Sequence, residues 1–445
     1  MESRTIEQFQ GKTILITGAT GFLSKLFVEK ILRIQPNVKE TLIRASDYNS
    51  ARKRFTNEVM MSELFNIIRE KMGSVYFCDI SQEYMGIINS QLRNEMYKEI
   101  DIIINSASTF DERYNIAMNV NVVGAMNVLK FAKNCTKVKM LLHVSTAYIC
   151  SKTTEIIREK PLVMGETFNK NSYLDMDVER TVITNKLKEL ETQNATPKEV
   201  TTTMKELGIQ RAKLHGWLYT YSFTKAMGEM ILGHFKENLQ LVIIRSTIIT
   251  STYKEPFPGW IEGVRTLDAF ILAYGKGVLN FFYGNPDSKL DTHMKIINVP
   301  QQVLIYHISS SSRGPPRNSD IKHFMFHYFT KNPWINKDGK TIKLTKPILF
   351  SNISSFRRHI SIHYSLLLKM LKFVNLVSFH RFDKTYENMK MKMRKATFDD
   401  VNTEKLRLTM KEINLDEVLK FDPRCINWED YFMNTHIPGS VRYLF

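Results

Sequence analysis

The chain has 445 residues, 43% of them hydrophobic and 24% charged; this is the composition of a folded protein of two or three domains and excludes a disordered chain or a fibre. Lys and Arg (62) outnumber Asp and Glu (45), and the formal charge of +17 favours anionic partners: nucleic acid, lipid headgroups or phosphorylated ligands. Four scattered cysteines, with no CxxC pair, argue against a zinc ribbon or a disulfide framework and fit a reducing compartment. The opening MESRTIEQFQGK has no apolar stretch, so no signal peptide is expected. No apolar run reaches the roughly 18 residues of a membrane span, so an intracellular protein with at most peripheral membrane contact is expected.

In chain order, Gly11–Thr17 reads as a buried strand that feeds GATGF. A helix follows, with Leu23, Phe27, Ile31 and Ile34 on one face. Thr41–Arg44 and Val75–Phe77 are the second and third strands, and Ile100–Asn105 is the fourth. Asn119–Lys133 is helical, Met140–Ser145 is the fifth strand and Leu241–Ser246 the sixth. A charged helical insertion fills about 167–214. Apolar strands alternating with helices predict an α/β fold with a parallel sheet covered on both faces. At SSSSRGPPRNS (309–319) the rhythm changes. The expected division is therefore 1–310 as a nucleotide-binding domain and 311–445 as a mainly helical C-terminal domain.

The run Thr17-Gly18-Ala19-Thr20-Gly21-Phe22-Leu23-Ser24 sits at a strand-to-helix junction. Gly18 would permit a tight turn, and Gly21 would let backbone come close to a pyrophosphate at the helix N-terminus. Thr17, Gly18, Thr20, Gly21, Phe22 and Leu23 are the cofactor-binding candidates. Cofactor choice is read at the end of the second strand, where an acidic residue would favour NAD. Here Arg44 stands there, with Arg52, Lys53 and Arg54 following. A guanidinium pairs with a 2′-phosphate, so NADPH is expected. Asp79, after the third strand, is a candidate for the adenine side.

Tyr221-Ser222-Phe223-Thr224-Lys225 puts Tyr221 and Lys225 one helical turn apart. A free tyrosine titrates near pH 10, and an adjacent ammonium would lower that value into the range of an acid–base catalyst. Upstream, the strand end His143-Val144-Ser145-Thr146-Ala147 offers hydroxyls that could hold a carbonyl oxygen. Ser145 and Thr146 point to opposite faces of the strand, so only one can face the substrate.

These residues, with the glycine loop, resemble the extended short-chain dehydrogenase/reductase superfamily, whose core is a Rossmann-type doubly wound sheet. The resemblance makes Thr146 the first choice for the hydroxyl and Ser145 the second. It places Asn105 and Ala107 under the nicotinamide ribose and Asn121 in the active-site asparagine position. A narrower likeness rests on GKTILITGATGFLSKLFVEKIL, FDERYN, LLHVSTAYIC, AKLHGW, YSFTKAMGEM, EPFPGWIEG, FTKNPWINKDGK and FDPRCINWEDYFMNTHIPG. Together they resemble plant-type alcohol-forming fatty acyl-CoA reductases from about residue 8 onward. That resemblance implies NADPH-dependent reduction of a long-chain acyl-CoA, through an aldehyde, to a primary alcohol for wax, suberin or other lipid synthesis. It also implies Tyr221 as proton donor, Lys225 as its partner on the nicotinamide ribose, and a place in the cytoplasm or on the cytosolic face of the endoplasmic reticulum.

The sequence departs from that pattern at Ser24, at RST (245–247), and at 290–308, where Pro300 with Gln301 and Gln302 points to the deletion of a helix. The shortening leaves a second reading open: a cofactor-binding relative without turnover. Ile360–Phe379 carries apolar residues at helical spacing broken by Lys369 and Lys372, and reads either as a core helix with a solvated face or as a basic helix lying on anionic lipid. No nucleic-acid module accompanies the basic residues, and the histidines show no metal-binding spacing.

Overall fold

The first strand, β1 (Ile14–Thr17), forms where four consecutive residues are apolar or β-branched, and all four are buried. The computed structural model describes residues 10–34, 41–43, 53, 56–60, 62–65, 75–149, 156–169, 172–288, 303–310, 314–352, 354–356, 358–359, 397–412 and 422–444. After β1 come α1 (Phe22–Ile34), β2 (Thr41–Ile43), β3 (Val75–Phe77), α2 (Ser90–Glu99) and β4 (Ile102–Asn105). Next are α3 (Tyr114–Met118), a π-helical turn (Asn119–Val123), α4 (Gly124–Asn134), β5 (Met140–Thr146) and β6 (Ile156–Ile157). Then follow α5 (Met176–Thr192), α6 (Pro197–Leu214), α7 (Thr220–Phe235), β7 (Leu241–Ser246), α8 (Thr266–Gly275), β8 (Phe281–Tyr283) and β9 (Leu304–Ile308). The chain continues through α9 (Asn318–Lys331), β10 (Ile348–Phe350), β11 (Thr397–Phe398), α10 (Val401–Glu412), α11 (Trp428–Tyr431) and α12 (Ile437–Leu444).

The main sheet is parallel, with strand order β1-β4-β5-β7-β9. β2 pairs with β3 in parallel and lies beside β1. The chain therefore proceeds to one side of β1 with β2 and β3, then crosses to the other side with β4. In an open α/β sheet that switch point leaves a crevice at the carboxyl ends of the strands. The Gly18 turn after β1 and the segment after β4 both sit there.

Alternation along the strands feeds two cores. Ile14, Ile16, Ile104, Leu142 and Ile244 pack on one side with α1 and with Leu406 and Met410 of α10. Leu15, Ile103, Leu141, Ile243 and Ile305 pack on the other with Val128, Leu129 and Phe131 of α4. Strands buried on both faces account for the nearly unbroken apolar runs in the sequence. The expected parallel α/β architecture is present, and β9 extends it beyond the six predicted strands. The predicted helix 119–133 begins as a π-helical turn.

The charged segment at 167–214 forms α5 and α6, which pack on α7 through Ile183, Met204, Ala212, Trp217, Phe223 and Met227. Another cluster combines Leu267, Ile271 and Phe282 with Phe324, Phe329, Phe432 and Ile437, so it draws on both sides of residue 310. Arg44, the basic stretch 360–379 and most of the shortened stretch around 290–302 lie outside the described residues. Among the described residues, no helix is long and apolar enough to cross a membrane and no group of side chains is arranged to hold a metal ion.

Candidate active site

Gly18 has φ +70°, and a Cβ there would lie 2.7 Å from the Ala107 Cα. Two independent reasons thus require glycine: the left-handed backbone and the close approach of the segment after β4. Gly21 donates its N–H to the Gly18 carbonyl at 2.9 Å and is exposed. α1 starts at the next residue, so its first backbone N–H groups have no partner within the helix and face the crevice end of the sheet. A dinucleotide pyrophosphate fits this cradle: the backbone at Gly21 is exposed with no side chain over it, and the helix end presents donors and positive dipole.

Ser24 stands where the family pattern has a smaller residue. It is buried, and its hydroxyl donates to the Ser106 hydroxyl at 2.8 Å, tying α1 to the segment after β4. Phe22 is buried, stacked on Trp260 at 4.9 Å and covered by the Arg265 guanidinium. Leu23 and Thr20 are half-buried. Asp79 accepts from the Ser81 N–H and hydroxyl and so shapes the turn after β3.

Thr17, Asn105 and His143 lie in register on three adjacent strands. The Thr17 hydroxyl donates to Asn105 Oδ1 at 2.8 Å and accepts the Ala107 N–H at 3.2 Å. Asn105 Nδ2 lies 3.1 Å from His143 Nδ1. His143 Nε2 lies 3.2 Å from Lys225 Nζ, which also donates to the Val144 carbonyl at 2.7 Å. Thr17, Asn105, His143 and Lys225 are all essentially inaccessible to solvent. Thr17 and Asn105 are thus held within this buried row, whereas Ala107 closes over Gly18. Burial pulls the Lys225 amine down to about 8, against the opposing carboxylate of Glu229. Burial, and after it the positive charge of Lys225 when that amine is protonated, keep His143 neutral.

Tyr221 and Lys225 share one side of α7, as expected from their spacing. Tyr221 is half-buried, and its ring stacks on Phe110 at 4.1 Å; Phe110 itself is 73% exposed. The expected lowering of Tyr221 by Lys225 is not seen in this geometry. Burial pushes the phenol above its ordinary value, and the Lys225 amine is turned to His143 and the Val144 carbonyl. Ser145 lies in register with Arg245, and its buried hydroxyl has no hydrogen-bond partner. Thr146 is also buried and is engaged by the Tyr148 N–H at 3.3 Å and the Ser246 carbonyl at 3.4 Å. Asn121 bonds both the N–H and the carbonyl of Thr109 and reaches the Thr224 hydroxyl at 3.0 Å, so it fixes the segment after β4 to α7.

Sequence reasoning missed several supporting residues. Glu229 and Arg245 form a fully buried ion pair beneath α7, 2.7 Å apart. Lys25, also buried, pairs with Glu262 at 2.6 Å. Glu255 pairs with Lys30 and, at 3.0 Å, with Arg33. The EPFPGWIEG stretch is therefore a clamp on α1, made of Glu255, Trp260 and Glu262. Its Gly259 meets Gly439 so closely that a Cβ on Gly439 would lie 2.0 Å from the Gly259 carbonyl oxygen. A shared motif of this kind was visible in the sequence, but its partner was not.

The NAD-binding family model described as "Male sterility protein" matches residues 16–300. Across 491 aligned positions the chain is 42% identical to "Probable fatty acyl-CoA reductase 4" of Arabidopsis thaliana, covering 100% of this chain and 99% of that protein. It is 40% identical to "Alcohol-forming fatty acyl-CoA reductase" of Simmondsia chinensis, covering 99% and 98%. The aligned length exceeds 445 by several dozen positions, in line with the internal shortening read from the sequence. Among solved structures, the fold matches the terminal R domain of the myxalamid PKS-NRPS biosynthetic pathway with TM-score 0.58 at 15% identity, covering 92% and 91% of the two chains. The reductase domain of a nonribosomal peptide synthetase from Mycobacterium tuberculosis matches with TM-score 0.56 at 15% identity, covering 97% and 91%. A glycine cradle at the switch point of a parallel sheet and whole-length identity above 40% lead to one conclusion: this chain belongs to the fatty acyl-CoA reductase family and carries its nicotinamide-cofactor domain.

Proposed function

We propose that this protein reduces a long-chain fatty acyl-CoA to a primary alcohol and CoA, through an aldehyde, with NADPH as reductant. The observation that carries the reading is the continuous row from the Gly18 loop, through Ala107, Thr17, Asn105 and His143, to Lys225 on the helix that bears Tyr221. It ties the glycine cradle to the helix that bears the proposed proton donor. Held at the Gly18 loop and the start of α1, the cofactor would supply hydride to the thioester carbonyl and, from a second NADPH, to the aldehyde. Expulsion of the CoA thiolate separates the two reductions. Burial keeps the Tyr221 phenol protonated but makes it a reluctant donor, so to give its proton to the developing alkoxide it would need the Lys225 ammonium turned toward it. Lys225, as the ammonium, would stabilise the phenolate that remains. The partnerless Ser145 hydroxyl, or that of Thr146, would donate to the carbonyl oxygen. Phe110, stacked on Tyr221 and largely exposed, would lie along the path of the acyl chain.

The choice of NADPH rests on Arg44 at the end of the second strand. The full chain, incubated with palmitoyl- or stearoyl-CoA and NADPH, is expected to yield hexadecanol or octadecanol, with a higher kcat/KM for NADPH than for NADH. Tyr221→Phe is expected to abolish alcohol formation while NADPH still binds. Tight NADPH binding with neither aldehyde nor alcohol formed by the unaltered chain would sink the proposal and favour a relative without turnover.

A further inference from the structure

We propose that His143 is a positioning residue: its imidazole, oriented by Asn105 and Thr17, holds the Lys225 amine and sets how readily that amine keeps its proton. The inference rests on the reductase reading above but concerns a residue which that reading does not use.

The hydrogen-bond inventory carries the argument. Thr17, Asn105, His143 and Lys225 are all buried, so their polar atoms must find partners in the protein rather than in water. A neutral imidazole has one donor and one acceptor nitrogen, and an asparagine amide has one donor end and one acceptor end. The row can therefore run in two polarities; in the first the Thr17 proton must leave the row, because its oxygen then accepts from both Asn105 and Ala107. In one, the Lys225 ammonium donates to His143 Nε2, Nδ1–H donates to the Asn105 oxygen, and the Asn105 amide donates to Thr17. In the other, the Thr17 hydroxyl donates to Asn105 Oδ1, Asn105 Nδ2 donates to His143 Nδ1, and the proton on Nε2 points at an unprotonated amine. The observed placement of Asn105, with Oδ1 on Thr17 and Nδ2 on His143, is the second. Loss of the Lys225 proton thus reverses the whole row, and its far end is the hydroxyl that receives the Ala107 N–H above Gly18.

Other charged groups do not replace this contact. Glu229, one turn further on α7, is committed to Arg245 at 2.7 Å. Arg245 in turn faces His307, whose Nδ1 lies 2.7 Å from the Asp399 carbonyl. Tyr221, one turn earlier, stacks on Phe110. The Val144 carbonyl is the remaining acceptor for Lys225. With the imidazole removed, the ammonium loses an acceptor and the neutral amine loses a donor; the bond from the charged group is the stronger, so the proton becomes easier to lose.

The test compares His143→Phe and His143→Gln with the unaltered chain. The readouts are the pH dependence of kcat and of KM for palmitoyl-CoA, and the NADPH dissociation constant followed by quenching of protein fluorescence. The alkaline limb of kcat, where Lys225 loses its proton, is expected to move down by about one pH unit in the Phe variant. At pH values above the limb, kcat is expected to fall roughly tenfold with little change in KM, because the shift acts on the proton-transfer step. The Gln variant, which keeps an acceptor for the amine, is expected to restore the limb. A Phe variant whose limb stays in place would overturn the proposal, as would a Gln variant shifted as far as Phe. If the Phe variant fails to fold, Asn105→Leu, which removes the group orienting the ring, must shift the limb in the same direction; an unmoved limb then counts against the proposal. Absence of turnover in the unaltered chain would refute the reductase reading instead. The pH dependence of NADPH affinity in the His143 variants would then decide the present question by the same shift.

Discussion

The two ends of the candidate site are built by opposite means. At the loop end, Gly18 and Gly21 supply shape, and the clamp of Glu255, Trp260 and Glu262 holds α1 from outside through several parallel contacts. At the α7 end, Lys225, Glu229 and Arg245 are charged side chains with almost no exposure, each held by a small number of partners. Loss of one clamp contact leaves others in place. Loss of one partner at α7 strands a buried charge or an unpaired polar group, and such groups are costly because water cannot replace the partner. Cofactor holding should therefore be tolerant of substitution, and proton transfer intolerant.

The sharpest break is expected from Tyr221→Phe. It removes the proposed proton donor and should lower kcat by roughly 10³-fold or more while leaving NADPH affinity near its original value, measured by product assay and fluorescence titration. Next comes the buried pair. Glu229→Ala leaves Arg245 uncompensated and is expected to cost about 3–5 kcal/mol of stability in chemical denaturation. On the loop side, Gly18→Ala forces a side chain into a left-handed backbone position against Ala107. A loss of about 1–3 kcal/mol is expected from the strain, with weaker NADPH binding as its specific mark. The mildest is Ser24→Ala, which removes one hydrogen bond to Ser106 and should cost about 1 kcal/mol with activity retained. An equal loss of activity from Ser24→Ala and Tyr221→Phe would erase the distinction between the two ends.

An acid titration sharpens the same contrast in the helical insertion. Burial alone would raise the Glu179 carboxyl, but hydrogen bonds from His215, Arg211 and Tyr114 outweigh it and hold it down to about 2. The folded state thus favours the carboxylate. This stabilisation is complete above the ordinary carboxyl value of 4.5 and is lost as pH falls from there toward 2. The loss amounts to about 3 kcal/mol, and Tm measured across that window should fall less steeply in Glu179→Gln than in the unaltered chain.

Much of this site could be read along the chain because its signals are local. The Gly18 turn, the start of α1 and the one-turn spacing of Tyr221 and Lys225 each occupy fewer than ten consecutive residues, so composition and periodicity reveal them. What holds them in place is not local. His143 finds Asn105 and Lys225 only through strand register and helix packing, from 38 and 82 residues away. Ser24 was legible as a departure, yet its partner Ser106 lies 82 residues on. The direction of the Lys225 amine decides whether it faces Tyr221 or His143, and one-turn spacing alone does not fix that direction. The side of the strand taken by Ser145 was foreseen only as an alternation, and its missing partner emerges from the packing of β7 and α7 around it.

The meeting of Gly259 with Gly439 bears on how the protein is made. The helix at the cofactor loop is synthesised early, but the strap that braces it rests on a stretch made some four hundred residues later. During translation the nucleotide cradle can take shape while its outer support still lacks a floor. A ribosome-bound chain stalled before residue 430 should therefore hold α1 more loosely than the released protein, and a bulky residue at either glycine would leave the finished molecule in that juvenile condition.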